Sequence, residues 1–301
     1  MRIAVAATPQ VAIPTLDALL TSPHQLIGVI TQPDRAAGRG KEIRQSEVGD
    51  WAELHEIPLL KPKHPTELIE YSKSLDCVVT VGYGVLLPPE VFNAPKYGYL
   101  NLHFSLLPKW RGAAPVQRAI QAGDKESGVT VFKLNEGMDT GPIFVQKSFT
   151  IPEDFRSAEL FTELAKLGAT AVLETLTAIE SGVNPVAQID EGVSKAEKIS
   201  KGDAHLNWNR TSIEVLRDIR AFYPSPIAWT NFRGENLRIE NAAMSSEKLT
   251  SGAIKVVNGS LLVGTKDGSL EILRLIPAGK KSIDTKSWVN GARITQEDHF
   301  G

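Results

Sequence analysis

The chain has 301 residues, a formal net charge of −2, a hydrophobic fraction of 42% and a charged fraction of 23%. These values are those of an ordinary soluble globular protein of one or two domains, and a single cysteine excludes an intrachain disulfide. The amino terminus lacks a signal-peptide pattern, and no apolar stretch approaches membrane-spanning length. We therefore expect a soluble cytoplasmic protein, with Cys77 packed in the core because it lies in an apolar run.

The charge is distributed unevenly along the chain. Residues 1–200 carry a net charge of −5, whereas residues 201–301 carry +3. A mildly basic second part permits contact with nucleic acid, although solvated surfaces often have the same composition.

The first elements predict a strand followed by a helix. Arg2 to Ala7 is a short apolar run, and the helix is expected from Val11 to Leu20. Their connection, Thr8-Pro9-Gln10, contains no glycine, whereas a dinucleotide fold places GxGxxG there so that the backbone can approach a pyrophosphate. The sequence therefore argues against NAD or FAD.

A basic segment from Pro33 to Gln45 follows the second predicted strand. It has no apolar period, so we expect a mobile surface loop. Its cations include Arg39, Lys41 and Arg44. Two interpretations stay open: a solvated connection, or a loop that grips a polyanion, since loops of this length are often functional.

The stretch from Asp76 to Pro115 organises the rest of the chain. Cys77 to Val81 is β-branched and apolar, which predicts a buried strand of a parallel sheet. Gly82-Tyr83-Gly84 follows at the carboxyl end of that strand, where open α/β sheets bind their ligands.

A second strand in this stretch, Tyr99 to His103, carries two candidate functional residues. Asn101 and His103 are two positions apart, so their side chains face the same side of the sheet. The loop after this strand, Ser105 to Pro115, is rich in small residues and proline, a composition that lets backbone approach a bound molecule.

The next part of the chain continues the alternation of strands and helices. Predicted strands at Val129–Leu134 and Ile143–Ile151 flank a loop that contains Asp139. A long helix is predicted from Ser157 to Ser181, with Ser157 as a candidate N-cap. Alternating strands and helices predict a Rossmann-like, mostly parallel sheet covered on both faces.

Beyond residue 183 the alternation of strands and helices weakens, and the later sequence predicts mainly short strands. Thr211 to Phe222 is an amphipathic helix, and about five short strands separated by turn signals follow it. This spacing predicts a small β-barrel of the oligonucleotide-binding (OB) kind. The predicted organisation is an α/β protein with a Rossmann-like domain at residues 1–189, a linker at 190–208 and an OB-like domain at 209–301.

Asn101, His103 and Asp139 are the candidate catalytic residues. Each residue type has an ordinary structural use, as a turn former, a hydrogen-bonded histidine or a loop cap. Together they suit acyl transfer: His103 can move a proton at neutral pH, Asp139 can accept its other N–H or relay protons, and Asn101 can donate to a carbonyl oxygen as it becomes negative. No serine or cysteine nucleophile and no zinc cluster are evident, so we expect direct transfer to an amine.

Three motifs resemble the signature of 10-formyltetrahydrofolate-dependent formyltransferases: NLHFSLLP from Asn101 to Pro108, WRGAAP from Trp110 to Pro115, and MDTG from Met138 to Gly141. The resemblance covers nearly the whole chain. Within the family the chain most resembles the branch that formylates methionyl-tRNA, on the loop GRGKE at 38–42, the run KISK at 198–201 and RAF at 220–222. Glu42 departs from the pattern, since relatives often carry a second lysine there.

This resemblance implies a co-substrate, a partner and a set of roles. 10-Formyltetrahydrofolate would be the formyl donor and no metal would be needed. The methionine amine on initiator tRNA would attack the formyl carbon, with Asn101 and a proton from His103 stabilising the oxyanion and Asp139 setting the protonation state. The protein is expected to be a monomer. The residues that would contact folate are Gly82, Tyr83, Gly84, Ser105, Leu106, Leu107 and Pro108.

The resemblance also assigns the tRNA contacts. Arg39, Lys41 and Arg44 would reach the acceptor end, and the OB-like domain would hold the rest of the tRNA. Two alternatives stay open: a formyltransferase that acts on a small amine, such as glycinamide ribonucleotide or an amino sugar nucleotide, and an RNA-binding protein with an inert core.

Overall fold

The computed structural model describes residues 1–37, 42–295 and 297–301. Two compact units share the chain, and each is formed from more than one stretch of it. The first unit consists of Met1–Pro115, Glu126–Thr150 and Phe161–Ala196, and the second of Val116–Lys125, Ile151–Leu160 and Glu197–Gly301. The linear division at residues 189 and 209 stays a prediction.

The strands are, in chain order, β1 Arg2–Ala7, β2 Gln25–Ile30, β3 Arg35–Ala37, β4 Glu42–Arg44, β5 Leu59–Leu60, β6 Cys77–Val81, β7 Tyr99–His103, β8 Arg111–Gly112, β9 Glu126–Lys133, β10 Ile143–Thr150, β11 Lys195–Ala196, β12 Ala228–Phe232, β13 Glu235–Ser245, β14 Ile254–Val257, β15 Ser260–Gly264, β16 Ser269–Ile276 and β17 Ile283–Asp284. The α-helices are α1 Ile13–Leu20, α2 Glu47–Leu54, α3 Ile69–Lys73, α4 Pro89–Phe92, α5 Pro115–Ala122, α6 Ser157–Glu180, α7 Ser212–Ala221 and α8 Thr285–Ala292, and short 3-10 helices precede α1 and α3. None of the described helices has the length and apolar character to cross a bilayer.

A seven-stranded sheet forms the centre of the first unit, in the order β10-β9-β7-β6-β1-β2-β5. The five strands from β7 to β5 pair in parallel, and β9 pairs antiparallel with both of its neighbours. The predicted Rossmann-like, mostly parallel sheet is therefore confirmed. All five residues of β6 are buried, because helices cover both faces of a sheet of this kind.

Cys77 begins β6 and is fully buried, as expected. Burial raises the pKa of its thiol to about 12. The thiolate is the reactive form of cysteine, so Cys77 is a packing residue at neutral pH.

A six-stranded antiparallel sheet forms most of the second unit, in the order β12-β13-β16-β15-β14, with β17 also pairing with β16. The five short strands predicted after the Thr211–Phe222 helix are present as β12 to β16. The predicted β-rich second part is thus present; across the described residues no ladder joins β12 to β14, the pairing that would close the sheet into a barrel. Helix α7 begins with a capping box: the Thr211 side chain accepts from the backbone N–H of Glu214, and the Glu214 side chain accepts from the backbone N–H of Thr211.

Two local predictions differ from the structure. Ser157 is the first residue of α6 rather than its N-cap, because its buried hydroxyl donates to the carbonyl of Ala221. The basic segment is not wholly irregular: its described parts, β3 and β4, pair as an antiparallel ribbon. Residues 38–41 of that segment lie outside the described residues.

The region beyond residue 183, which includes the predicted linker, is also more ordered than its sequence pattern indicates. Strand β11 pairs in parallel with β8, and Val186 forms an isolated bridge with Ile143. These are single attachments between distant segments. They leave no periodicity in the sequence, which explains why the pattern weakens there.

Candidate active site

Strand β7 presents the first two candidate residues on one face of the sheet. Asn101 lies opposite Thr80 of β6, and His103 lies opposite Thr130 of β9. Leu102, between them, is buried on the other face. The alternation of a strand thus brings Asn101 and His103 to one place, as the sequence predicts.

Asn101 is held by a neighbour that the sequence analysis did not single out. The Thr80 hydroxyl donates to Asn101 Oδ1 at 2.6 Å. With Oδ1 engaged, the two donors on Nδ2 are turned away from Thr80, and no acceptor for them is found in the part of the chain that the structure describes. The site therefore presents an amide with fixed donors.

His103 is 5% exposed, and one nitrogen of its ring has a defined partner. Nε2 lies 2.9 Å from the carbonyl oxygen of Trp110. A carbonyl oxygen can only accept a hydrogen bond, so Nε2 carries the proton in the neutral ring. Nδ1 is then the basic nitrogen, with its lone pair toward Asp139.

Asp139 approaches the same ring from the loop between β9 and β10. Its Oδ2 lies 3.7 Å from His103 Nδ1, which is too long for a hydrogen bond, and accepts one from the Gly112 backbone N–H at 2.7 Å. Since β9 runs antiparallel to β7, its last residue, Lys133, lies beside Leu100, near the start of β7. The Asp139 loop thus begins at the opposite end from the carboxyl ends of β6 and β7 and reaches His103 across the face of the sheet.

The electrostatics of this pair favour a neutral histidine. Burial lowers the pKa of His103 below its ordinary value, while the charge of Asp139 and the bond to Trp110 act in the opposite direction. Desolvation is the largest influence, so the ring is neutral at pH 7. A neutral ring with an open Nδ1 beside a carboxylate can accept a proton, and the carboxylate then stabilises the resulting imidazolium.

Two residues that contact His103 have left-handed backbone conformations. Trp110 has φ of 62° and Asp139 has φ of 53°. Such values are uncommon outside glycine, and they persist only where the surroundings impose them. The site therefore contains stored backbone strain on both sides of the imidazole.

The turn after β6 has the close-packed form expected of a ligand-binding turn. Gly82 and Gly84 have φ of +57° and +72°, and a Cβ at either would lie within 3 Å of Pro9 or Gln32. Tyr83 is buried between them, its carbonyl accepts from Thr8 and Gln32, and burial raises the pKa of its phenol to about 12.

Hydrogen bonds to neighbouring residues fix the loop from Ser105 to Pro108. The Ser105 hydroxyl donates to the Lys109 carbonyl at 2.6 Å, and Thr130 bonds both the Ser105 carbonyl and the Leu107 N–H. Gln146 donates to the Leu107 carbonyl at 2.7 Å. These polar groups are occupied, whereas the side chains of Leu106 and Pro108 are partly exposed.

The candidate cations are only partly covered by the structure. Arg44 lies exposed on β4, while Arg39 and Lys41 fall outside the described residues. Across residues 1–37, 42–295 and 297–301 there is no group of three or more His, Cys, Asp or Glu side chains that could hold a metal ion.

Sequence reasoning missed three residues that shape this site. Thr80 orients Asn101, and Gln146 orients the Ser105–Pro108 loop. Gln188, just before the predicted linker, bonds Arg111 and the Asp139 loop. Thr80 could have been found from the sequence, because it is the one polar residue in the apolar run Cys77–Val81. For Gln188 the sequence carries none, because its partners are 49 and 77 residues away.

Comparison with known protein families matches both parts of the chain. A family described as formyl transferase matches residues 1–176, and one described as formyl transferase, C-terminal domain, matches residues 198–293. The matched segments cover Asn101, His103 and Asp139 as well as most of the second unit.

Individual relatives span the full length. Proteins named methionyl-tRNA formyltransferase are similar: that of Salinispora tropica is 39% identical over 98% of both chains, and that of Streptomyces coelicolor 40% identical over the whole of both. A solved structure, the N-formyltransferase of Helicobacter canadensis in complex with folinic acid and dTDP-3-aminofucose, has a TM-score of 0.69 and 20% identity, and the match covers 90% of this chain and 97% of that one. At that identity the likeness shows the fold.

Proposed function

Because the chain belongs to the formyl transferase family, and so is a formyl-transferring enzyme, we propose that it formylates the α-amine of methionine on initiator tRNA with 10-formyltetrahydrofolate as donor. The observation that carries this proposal is the full-length similarity, near 40% identity, to proteins named for that reaction. Formyltransferases with other acceptors can match most of this chain as well, but the one compared above does so at 20% identity, about half that of the relatives named for methionyl-tRNA.

The chemistry assigned to the site follows from its geometry. The attacking amine loses a proton as its nitrogen bonds to the formyl carbon, and Nδ1 of neutral His103 can take it. The negative charge that develops on the formyl oxygen is met by the Nδ2 donors of Asn101, which Thr80 holds in place. Asp139 stabilises the imidazolium, which can return its proton to the departing folate nitrogen. Breaking the bond to that nitrogen completes the transfer without a covalent enzyme intermediate.

The residues near His103 fit a folate donor. Gly82 and Gly84 are exposed and allow a flat ring to approach the backbone, and the partly exposed side chains of Leu106 and Pro108 supply apolar contact. We assign the remaining residues of this surface to the same role, as supports of those contacts: Tyr83, Ser105 and Leu107.

We assign tRNA binding to the second unit together with the basic segment that holds Arg39, Lys41 and Arg44. Residues 201–301 carry a net charge of +3, which suits a phosphate backbone. The cations of the basic segment would bind phosphates of the acceptor end by charge-assisted hydrogen bonds.

A transfer assay tests the proposal directly. Purified protein with 10-formyltetrahydrofolate should formylate Met-tRNA, with free methionine as the control that should stay unmodified. Formylation of glycinamide ribonucleotide or of an amino sugar nucleotide instead would establish the small-amine alternative. Binding of tRNA without any transfer would indicate an RNA-binding protein.

The pH dependence should change when the carboxylate beside His103 is removed. Asp139→Asn keeps the size of the side chain but removes the charge that raises the His103 pKa. Burial is then opposed only by the bond to Trp110, so that pKa falls further. The neutral, proton-accepting form then persists to lower pH. We expect the acid limb of the kcat/KM profile to move to lower pH while the rate falls, and an unmoved limb would make Asp139 a structural loop residue.

Substitutions in the basic segment should affect the use of the tRNA substrate rather than the binding of folate. Arg39→Ala is expected to lower kcat/KM for Met-tRNA more than the affinity for folate, and to reduce the slope of the logarithmic salt dependence by about one unit for the lost phosphate contact. Protection of the bonds after Arg39 and Lys41 from trypsin by added tRNA is a second measurement. Full activity of Arg39→Ala together with no protection would show that the segment is only a connection.

A further inference from the structure

A segment that overlaps the start of the predicted linker lies against the active site. Residues 186–196, here called the strap, bridge to Ile143 at Val186 and pair with β8 at Lys195 and Ala196. A Cβ added at Gly112 would lie 2.6 Å from the carbonyl oxygen of Ala196, so the two backbones are in close contact. The strap therefore packs on the residues that bind the ring of His103 and the carboxylate of Asp139.

The strap bonds both of the strained residues. The Ser194 hydroxyl accepts from the Trp110 N–H at 2.9 Å, and the Gln188 amide donates to the Asp139 carbonyl at the same distance. Left-handed conformations at non-glycine residues need such outside support. Through these two bonds the strap supports the partners of both nitrogens of the imidazole.

Gln188 uses both ends of its amide. Its amide nitrogen, Nε2, donates to the carbonyls of Asp139 and Gly141 at 2.9 and 2.8 Å. Its Oε1 accepts from Nε and an Nη of Arg111 at 3.1 and 2.7 Å. Arg111 stands between Trp110, which bonds the His103 ring, and Gly112, which bonds the Asp139 carboxylate. The half-buried side chain of Gln188 therefore connects the Asp139 loop to the Trp110–Gly112 segment.

We propose that Gln188 is a positioning residue for the His103–Asp139 pair, an assignment that rests on the proposed function for its catalytic meaning. It acts through the backbone of Asp139. Without it the Asp139 loop can relax from its left-handed conformation, and the carboxylate then moves relative to Nδ1 of His103. A shift of about 1 Å in a catalytic group can cost roughly a hundredfold in rate.

Two variants separate the donor and acceptor functions of the amide. Gln188→Leu removes both at similar volume. Gln188→Glu keeps an acceptor for Arg111 but loses the donors and sets a carboxylate against the carbonyls of Asp139 and Gly141. Both should lower kcat by roughly tenfold to a hundredfold, with KM for folate within about twofold.

A matched control is Gln121→Leu. Gln121 is also half-buried and also bridges an arginine, Arg118, to a carboxylate, Asp218. Both of these hydrogen-bond partners lie outside the strap and outside the Asp139 loop. Its loss should leave the pH profile and kcat unchanged.

The discriminating measurement is titration of the His103 ring by NMR in the free enzyme, with the resonance assigned by its absence in His103→Ala. We expect the His103 pKa to fall further in both Gln188 variants, as in Asp139→Asn, because the carboxylate no longer supports the charged ring. In a double-mutant cycle, Gln188→Leu should add little to Asp139→Asn, since both act on one carboxylate.

The outcomes separate this inference from the proposed function. Normal kcat and an unchanged His103 titration in Gln188→Glu, or full additivity with Asp139→Asn, would overturn the positioning role. A wild-type enzyme inactive on Met-tRNA would refute the proposed acceptor, but a shifted His103 titration in the Gln188 variants would still support positioning. Should Gln188→Leu fail to fold, Gln188→Glu carries the test.

Discussion

Replacing His103 with alanine should lower the turnover of formyl transfer by about two to three orders of magnitude, the scale of losing a positioned proton-transfer group. The neutral ring exposes Nδ1 as the base, because Nε2 is bound to the Trp110 carbonyl. No other described side chain holds the same position between Trp110 and Asp139. Measured dissociation constants for folate and tRNA should change far less than kcat.

The chain offers a close control for this variant. His24 is also partly buried, its pKa is also lowered by burial, and its Nδ1 lies 3.6 Å from a carboxylate oxygen of Glu180. Each histidine thus has an acidic neighbour, Glu180 for His24 and Asp139 for His103, but only His103 lies beside Asn101 on strand β7. His24→Ala should keep normal turnover, and near-normal turnover in His103→Ala would remove the assignment of His103.

Asn101→Ala should have an effect of similar size, about two to three orders of magnitude in kcat, because the mechanism proposed above assigns its amide donors to the charge that forms on the formyl oxygen. Asn101→Asp sharpens the test. It preserves the acceptor for the Thr80 hydroxyl but replaces the donors with a negative charge, so its loss should be at least as large.

Thr80→Val probes the same amide indirectly. It removes the hydroxyl that orients Asn101 while leaving the donors in place, and the loss in kcat should be smaller than in Asn101→Ala. Equal activity of Asn101→Asp and wild type would show that Asn101 is not an oxyanion donor.

The elements of the fold were largely predictable because their signals are local. The run Cys77–Val81 and the alternation of Tyr99–His103 follow directly from apolar period and β-branching, and both strands are present. The same holds for helix α6 and for the five short strands of the second unit. Whether such strands close into a barrel depends on pairing between strands far apart in sequence, and a local pattern carries no signal for that pairing; in the described residues no ladder joins β12 to β14.

By itself, the sequence determined that Asn101 and His103 share a face, since strand alternation requires it, and its motifs indicated a formyltransferase. Only the tertiary structure decided which nitrogen of His103 is basic, because that depends on the Trp110 carbonyl, seven residues further along a turn. It also decided that Asp139 crosses the sheet face from an antiparallel strand. The role of Gln188 could not be read from the sequence for the same physical reason: single hydrogen bonds across 49 and 77 residues are set by packing, and packing leaves no period along the chain.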